Sequence, residues 1–197
     1  MNGKKRLLQT IRLCTILSDT KRTQYYHDKK IFHSMGDNCL IMGRKVPLYA
    51  KLISIGNNVK IASNVHFNTH DVTHSVLNNM SFAVEKNGGE QFAEKIGCIE
   101  IGDNVFVGAG TSINYDVRIG SNVIIGACSL VTKDIPDNVV VGGVPARVLC
   151  TFDQYLEKRI SKNWKIEQAL DQSASGEIEN IMWEDFYKKR NENINNG

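Results

Sequence analysis

Hydrophobic residues recur every six positions along much of this chain. From Ile101 the sequence divides into IGDNVF, VGAGTS, INYDVR, IGSNVI, IGACSL and VTKDIP. The first position of each hexad is Ile101, Val107, Ile113, Ile119, Ile125 and Val131, and the fifth is Val105, Thr111, Val117, Val123, Ser129 and Ile135. Glycine fills the second position in four of the six. Eleven of the 36 residues in 101–136 are Ile or Val, and filling six chosen positions from that pool by chance has a probability of roughly one in a thousand. The same phase appears in IGNNVK from Ile55 and IASNVH from Ile61, followed by Phe67, with a weaker copy, MGDNCL, from Met35. The two blocks are out of phase, since 101 − 67 = 34 is not a multiple of six, so an insertion lies at about 71–97. Its Asn78, Asn79, Asn87, Gly88 and Gly89 read as a loop.

A period of six suits neither a lone helix nor a hairpin. It suits a coil with flat faces, each face one short strand stacked about 4.8 Å from the next coil. The first and fifth positions then point inward, and Gly or Asn near each turn permits a tight bend, φ > 0 included. Only three prolines occur in the chain, as expected of a ladder that needs its N–H donors. The coil is assigned to 35–150. Residues 1–34 read as a helical cap, with Leu7, Leu8, Ile11, Cys14 and Leu17 at helical spacing, then an amphipathic stretch at about 21–33 carrying Tyr25, Tyr26, Ile31 and Phe32. Residues 151–197 read as a helical extension: a helix over 152–162, a polar linker over 171–177 and an amphipathic helix over 178–190.

Composition changes this picture little. A hydrophobic content of 42% and a charged content of 23% describe a soluble globular protein, and a net charge of +3 does not argue for nucleic acid. The charge is uneven: residues 1–30 hold eight basic and two acidic residues, 8 − 2 = +6, leaving 3 − 6 = −3 for the rest. That arm reads either as a solvated basic helix or as a weak contact with a membrane surface or an acidic partner. Five cysteines without a CxxC spacing read as reduced thiols, mostly packed as small apolar residues. Gln9 and Arg12 break the N-terminal apolar run, so no signal peptide is expected, and no run of about 18 apolar residues occurs. A cytoplasmic location follows.

The hexads resemble the hexapeptide-repeat acyltransferase family, and IGACSLVTKDIPDNVVVGGVPARV (125–148) resembles that family's C-terminal coil signature nearly residue for residue. The resemblance covers about 35–150. It implies a mainly β fold, a left-handed parallel β-helix with three hexads per coil. That hand is a rare exception among crossovers. The resemblance is greatest to enzymes that O-acetylate capsular or other surface saccharides and to the maltose and galactoside acetyltransferase group. It implies acetyl-CoA as donor substrate, a saccharide acceptor, no required metal, and a homotrimer with active sites between subunits.

Three of the five histidines fall in HFNTHDVTH, His66 to His74, where the regular coil gives way to the insertion. The family places a histidine general base there, and His70 matches it. The chemistry needs such a group, because an alcohol attacks a thioester only as its proton leaves. Asp71 and His74 are candidates for holding the acceptor, whereas His66 falls at an outward sixth position. By resemblance, backbone groups near Gly108, Ala109 and Ala127 pair with the pantetheine arm, and Thr132, Lys133 and Arg147 lie near the nucleotide end. The alternative for Lys133 and Arg147 is a solvated charge at a corner. The thioester is already activated, so Cys98 and Cys128 read as packing residues rather than acyl carriers. A zinc carbonic anhydrase on this scaffold needs three histidines across an interface, and 75–197 contains none. Two rivals stay open: an acetyltransferase for an amino sugar or antibiotic, and a non-enzymatic β-helix serving only assembly.

Overall fold

The computed structural model describes residues 3–161 and 175–195. Two units divide the chain, Met1–Tyr155 and Leu156–Gly197. Within the first, the hexads become short strands in three parallel sheets. The first sheet orders Ser34–Met35, Ile53–Ile55, Ile99–Ile101 and Val117–Ile119. The second orders Leu40–Ile41, Lys60–Ile61, Val105–Val107, Val123–Ile125 and Val139–Gly142; the third orders His66–Asn68, Ser112–Asn114 and Leu130–Val131. Each coil visits the three sheets in turn, which is a parallel β-helix.

Register accounts for the phase break. Ile101 pairs with Ile119 eighteen residues on, three hexads, whereas Ile55 pairs with Ile101 forty-six residues on. The difference, 46 − 18 = 28 residues, is the size of the excursion. Every first-position and fifth-position side chain from Ile101 to Ile135 is buried, at 6% exposure or less. A β-branched side chain packs onto its copies above and below, so one spacing serves every rung. The two buried hydroxyls are satisfied locally: Thr111 Oγ1 donates to the Gly126 carbonyl at 3.1 Å and Ser129 Oγ to the same carbonyl at 2.6 Å.

At the corner between the first two sheets, Gly and Asn have separate tasks. Asn38, Asn58, Asn104, Asn122 and Asn138 carry the left-handed backbone, with φ of 54–60°. Their side-chain amides form a ladder, Nδ2 of each donating to Oδ1 of the next at 2.8–3.0 Å. The second-position glycines are needed for closeness, not for φ: a Cβ on Gly56 would lie 2.6 Å from the Gly102 carbonyl oxygen.

The two ends differ from the sequence reading in detail. Helix Gly3–Thr15 buries Leu13 and Gln9 and leaves Leu7, Leu8 and Ile11 exposed, so its apolar stripe faces away from the coil. Helix Asp19–Asp28 is capped by Ser18, whose Oγ accepts from the Lys21 N–H, and it buries Tyr26. Tyr26 stacks on Phe32 at 5.3 Å, and the Ile41 N–H donates to Thr23 Oγ1 at 2.8 Å, which ties this helix to the first coil. At the other end the coil does not continue to 150. Arg147–Thr151 turns back antiparallel to Val139–Gly142 and covers the open edge of the second sheet. Helix Phe152–Ser161 then starts at a reciprocal cap, with the Thr151 N–H bonded to Gln154 Oε1 and the Gln154 N–H to Thr151 Oγ1.

In the second unit, helix Ser175–Asn195 begins earlier than expected and carries a cluster of Trp183, Phe186 and Tyr187, with the Arg190 guanidinium 3.3 Å above the Phe186 ring. The linker expected over 171–177 lies outside the described residues as far as 174. The cysteines also differ: Cys14, Cys98 and Cys128 are exposed, Cys39 and Cys150 partly buried. Cys128 stands at a fourth hexad position with φ of 56°, where a side chain points out of the corner rather than into the core. Among the described residues, no helix is long and apolar enough to cross a membrane.

Candidate active site

The second coil reaches its third sheet as His66–Asn68 and then leaves the ladder. Thr69 is the pivot: it is fully buried, and its Oγ1 donates to the Leu48 carbonyl at 2.7 Å. His70–Asp71 follows, paired antiparallel with the returning Lys95–Ile96, and the Gly97 N–H closes the neck on the Thr69 carbonyl at 3.0 Å. The enclosed segment is more than a loop, because it folds into helices Thr73–Leu77 and Ser81–Lys86. Asn78, read from the sequence as a loop residue, clamps it by exchanging bonds with Phe92: Nδ2 to the Phe92 carbonyl at 3.0 Å, and the Phe92 N–H to Oδ1 at 2.7 Å.

His70 sits at this neck. Its Nδ1 is buried without a hydrogen-bond partner, and its ring meets Tyr49 edge-on at 5.5 Å. Tyr49 is held in turn, its hydroxyl donating to Glu94 Oε2 at 2.9 Å, and that bond pushes the phenol's pKa up. His70 opens on a cavity of about 440 Å³ whose lining includes His66, Asn64, Asn68, Arg6 and Lys45. His66 is thus outward-facing as expected, yet it borders the same space. His74, in helix Thr73–Leu77, also buries an unpartnered Nδ1, but it does not line this cavity among the described residues.

Asp71 is occupied. Its Oδ1 accepts from the Thr73 hydroxyl and from the Thr73 N–H at 3.0 Å, and its Oδ2 accepts from the Tyr115 hydroxyl at 2.6 Å. The Thr73 hydroxyl, the Tyr115 hydroxyl and the Thr73 N–H hold the carboxyl at about 2. Lys95 lies 5.0 Å over the Tyr115 ring. Tyr115 is the residue that sequence reasoning missed. Asn114 pairs with Asn68, which sets Tyr115 beside the neck, but that neighbour is visible only once the 46-residue register is known.

The residues assigned to the donor fall in two groups. Gly108, Ala109 and Ala127 stack at the corner between the second and third sheets. A Cβ on Gly108 would lie 2.7 Å from Ala127 Cα, and the Ala109 carbonyl accepts from the Cys128 N–H at 2.8 Å. These three positions carry no side chain larger than a methyl group. Thr132, Lys133 and Arg147 line one depression of about 170 Å³ at the end of the coil, together with Asp134. Phe67, Ile113 and Val131 are successive rungs of the third sheet, so the neck and the depression lie two rungs apart, about 10 Å along the axis.

A parallel coil of stacked hexads with a histidine at the neck of an excursion defines the class, and comparison with known proteins supplies the family. Residues 98–133 match the family model described as bacterial transferase hexapeptide (six repeats). The chain is 35% identical over 144 residues to Protein CapG of Staphylococcus aureus, covering 68% of this chain and 74% of that one. It is 39% identical over 120 residues to the galactoside O-acetyltransferase of Escherichia coli, covering 60% of this chain but only 53% of the relative. The chain thus spans about half the length of that relative. Among solved structures, a galactoside acetyltransferase in complex with coenzyme A matches at 27% identity with a TM-score of 0.51, covering 78% of this chain and 84% of that one. The chain belongs to the hexapeptide-repeat transferase family, and with it goes the left-handed β-helix.

Proposed function

We propose that this chain is an acetyl-CoA-dependent O-acetyltransferase for a sugar hydroxyl, with His70 as general base. The observation that carries the reading is the position of His70: at the neck of the excursion, fixed edge-on against Tyr49 and open to a 440 Å³ cavity. Similarity to a galactoside O-acetyltransferase and to a coenzyme A complex supports a sugar acceptor and that donor. The short insertion and the tail TFDQYLEKR (151–159) resemble those of enzymes that O-acetylate capsular or other surface saccharides, which supports such a saccharide, or its precursor, as acceptor.

The step is direct transfer. The acceptor oxygen attacks the thioester carbonyl carbon while its proton passes to the His70 imidazole. The C–S bond then breaks, and the departing thiolate takes that proton, leaving an ester and free coenzyme A. The corner at Gly108, Ala109 and Ala127 suits the pantetheine arm, and Lys133 and Arg147 suit the nucleotide phosphates. Asp71, with both oxygens engaged, acts on the acceptor indirectly by holding the excursion against the coil. The active unit is a homotrimer, each donor groove completed by a neighbour.

The test is thiol release from acetyl-CoA with a panel of sugars. His70→Ala is expected to lower acceptor-dependent release by roughly two to four powers of ten. Full activity in a folded His70→Ala would transfer the role to His74. A wild-type chain that binds no acetyl-CoA would leave an assembly module.

A further inference from the structure

Helix Gly3–Thr15 lies the wrong way round for a simple cap. Leu7, Leu8 and Ile11 are turned out, while Arg6, Gln9, Thr10 and Leu13 form the inward face. Two of these inward polar groups have no protein partner. Arg6 Nε is buried and unbonded, and so is the side-chain oxygen of Gln9, a residue only 7% exposed. A buried guanidinium nitrogen or amide without a bond is unfavourable unless something else meets it.

What they face is the neighbourhood of His70. Arg6 lines the cavity on which His70 opens, with Arg44 and Lys45. Gln9 lines a second cavity of about 570 Å³, whose wall includes Lys5, Lys29 and Lys30. That wall also contains Tyr49 and Ile96, the two residues that flank His70 by ring contact and strand pairing. Among the described residues lining either cavity, none is acidic. The carboxylates at the neck are engaged elsewhere, Asp71 by Thr73 and Tyr115 and Glu94 by Tyr49. Arg44 already donates to the Cys14 and Ile16 carbonyls at 3.2 and 3.1 Å, but a neutral sugar gives Lys45 and the orphaned Arg6 nitrogen little return, whereas an anion satisfies both together.

We infer that the acceptor is an anionic sugar, bearing a phosphate or a carboxylate, and that Arg6 on the inward face of the first helix receives that group. The inference rests on the reading of His70 as the base for acetyl transfer. On the same reading the donor's phosphates go to Lys133 and Arg147, two rungs away, and so do not account for these cations.

The experiment compares glucose, glucose 1-phosphate and glucuronate as acceptors, in the wild type, Arg6→Gln and Arg6→Lys. An ionic hydrogen bond corresponds to about tenfold to a hundredfold. The kcat/KM for one of the anionic probes is therefore expected to exceed that for glucose by this factor. Arg6→Gln should bring it down to the glucose value with the KM for acetyl-CoA unchanged, and Arg6→Lys should restore part of it. Whichever of phosphate and carboxylate gains more names the group. Equal use of all three, an intact preference in Arg6→Gln, or a rise only in the acetyl-CoA KM would each overturn the inference. Absence of turnover with every probe, together with no binding of acetyl-CoA, would sink the acetyl-transfer reading instead. Calorimetric titration of the three probes then decides the matter without turnover: tighter binding of an anion that Arg6→Gln abolishes upholds the site, and no preference removes it.

Discussion

At the residue scale, stability is concentrated where coils touch. Coils about 4.8 Å apart leave no room, at the corner between the first two sheets, for a side chain that points along the axis, so the second hexad position there is Gly36, Gly56, Gly102 and Gly120. Gly56→Ala would drive a methyl to 2.6 Å from the Gly102 carbonyl, a backbone atom that cannot swing aside. The expected loss is about 1–3 kcal/mol, read as a lowered denaturant midpoint at unchanged slope. Gly88 is the control, since a Cβ there meets nothing within 4 Å and only its φ of 69° opposes substitution. Absence of a loss in Gly56→Ala would show that inter-coil closeness does not govern the corner. The asparagines act differently: each tolerates the left-handed backbone and spends its amide on the next rung, so Asn and Gly are not interchangeable in the motif.

At the element scale, the excursion is anchored by one carboxylate. Asp71 is held at about 2, below its ordinary value of 3.8, by the Thr73 hydroxyl first and the Tyr115 hydroxyl next. A lowered carboxyl stabilises the folded form where it is ionised. Its contribution is therefore full above about pH 4 and is lost as the pH falls through 2. Amide exchange over 72–92, measured in the native protein, is expected to accelerate across that window, and Asp71→Asn should show faster exchange already at neutral pH. Identical exchange in Asp71→Asn and wild type would mean that the antiparallel neck and the Asn78 clamp suffice. The first helix shows the converse relation between pattern and packing. Its apolar spacing marks a helix correctly, but the side that packs carries Arg6 and Gln9. Periodicity reports that a helix has two faces and says nothing about which one the coil receives.

At the scale of the whole molecule, the β-helix is a ruler with chemistry placed along it. The neck lies on the second coil and the basic depression at the far end, so the proposed reading has an extended donor span the rungs between. If Lys133 and Arg147 hold the donor's phosphates, the double variant Lys133→Ala with Arg147→Ala should raise the KM for acetyl-CoA by about tenfold or more while kcat changes little. An unchanged KM would return both side chains to the solvent. Because these residues are remote from the neck, their effect and that of His70→Ala should add in the logarithm of kcat/KM.

The coil itself was legible in the sequence. A six-residue period with β-branched residues at the first position admits one inward face per strand, and residues 101–135 are buried in that phase without exception at the first and fifth positions. The place of His70 at the end of the regular coil was legible for the same reason, since a break in a strict period marks where the chain leaves the ladder. What the sequence left open depends on contacts between distant segments. The pairing of Tyr115 with Asp71 requires the 46-residue register. The turn of Arg147–Thr151 back over the sheet edge requires the edge to exist, and the inward choice of Arg6 and Gln9 requires the surface they cover. A repeat determines local geometry because each rung sees only its neighbours; the site is assembled from segments that the repeat does not contain, and only their meeting in three dimensions decides which of their groups face His70.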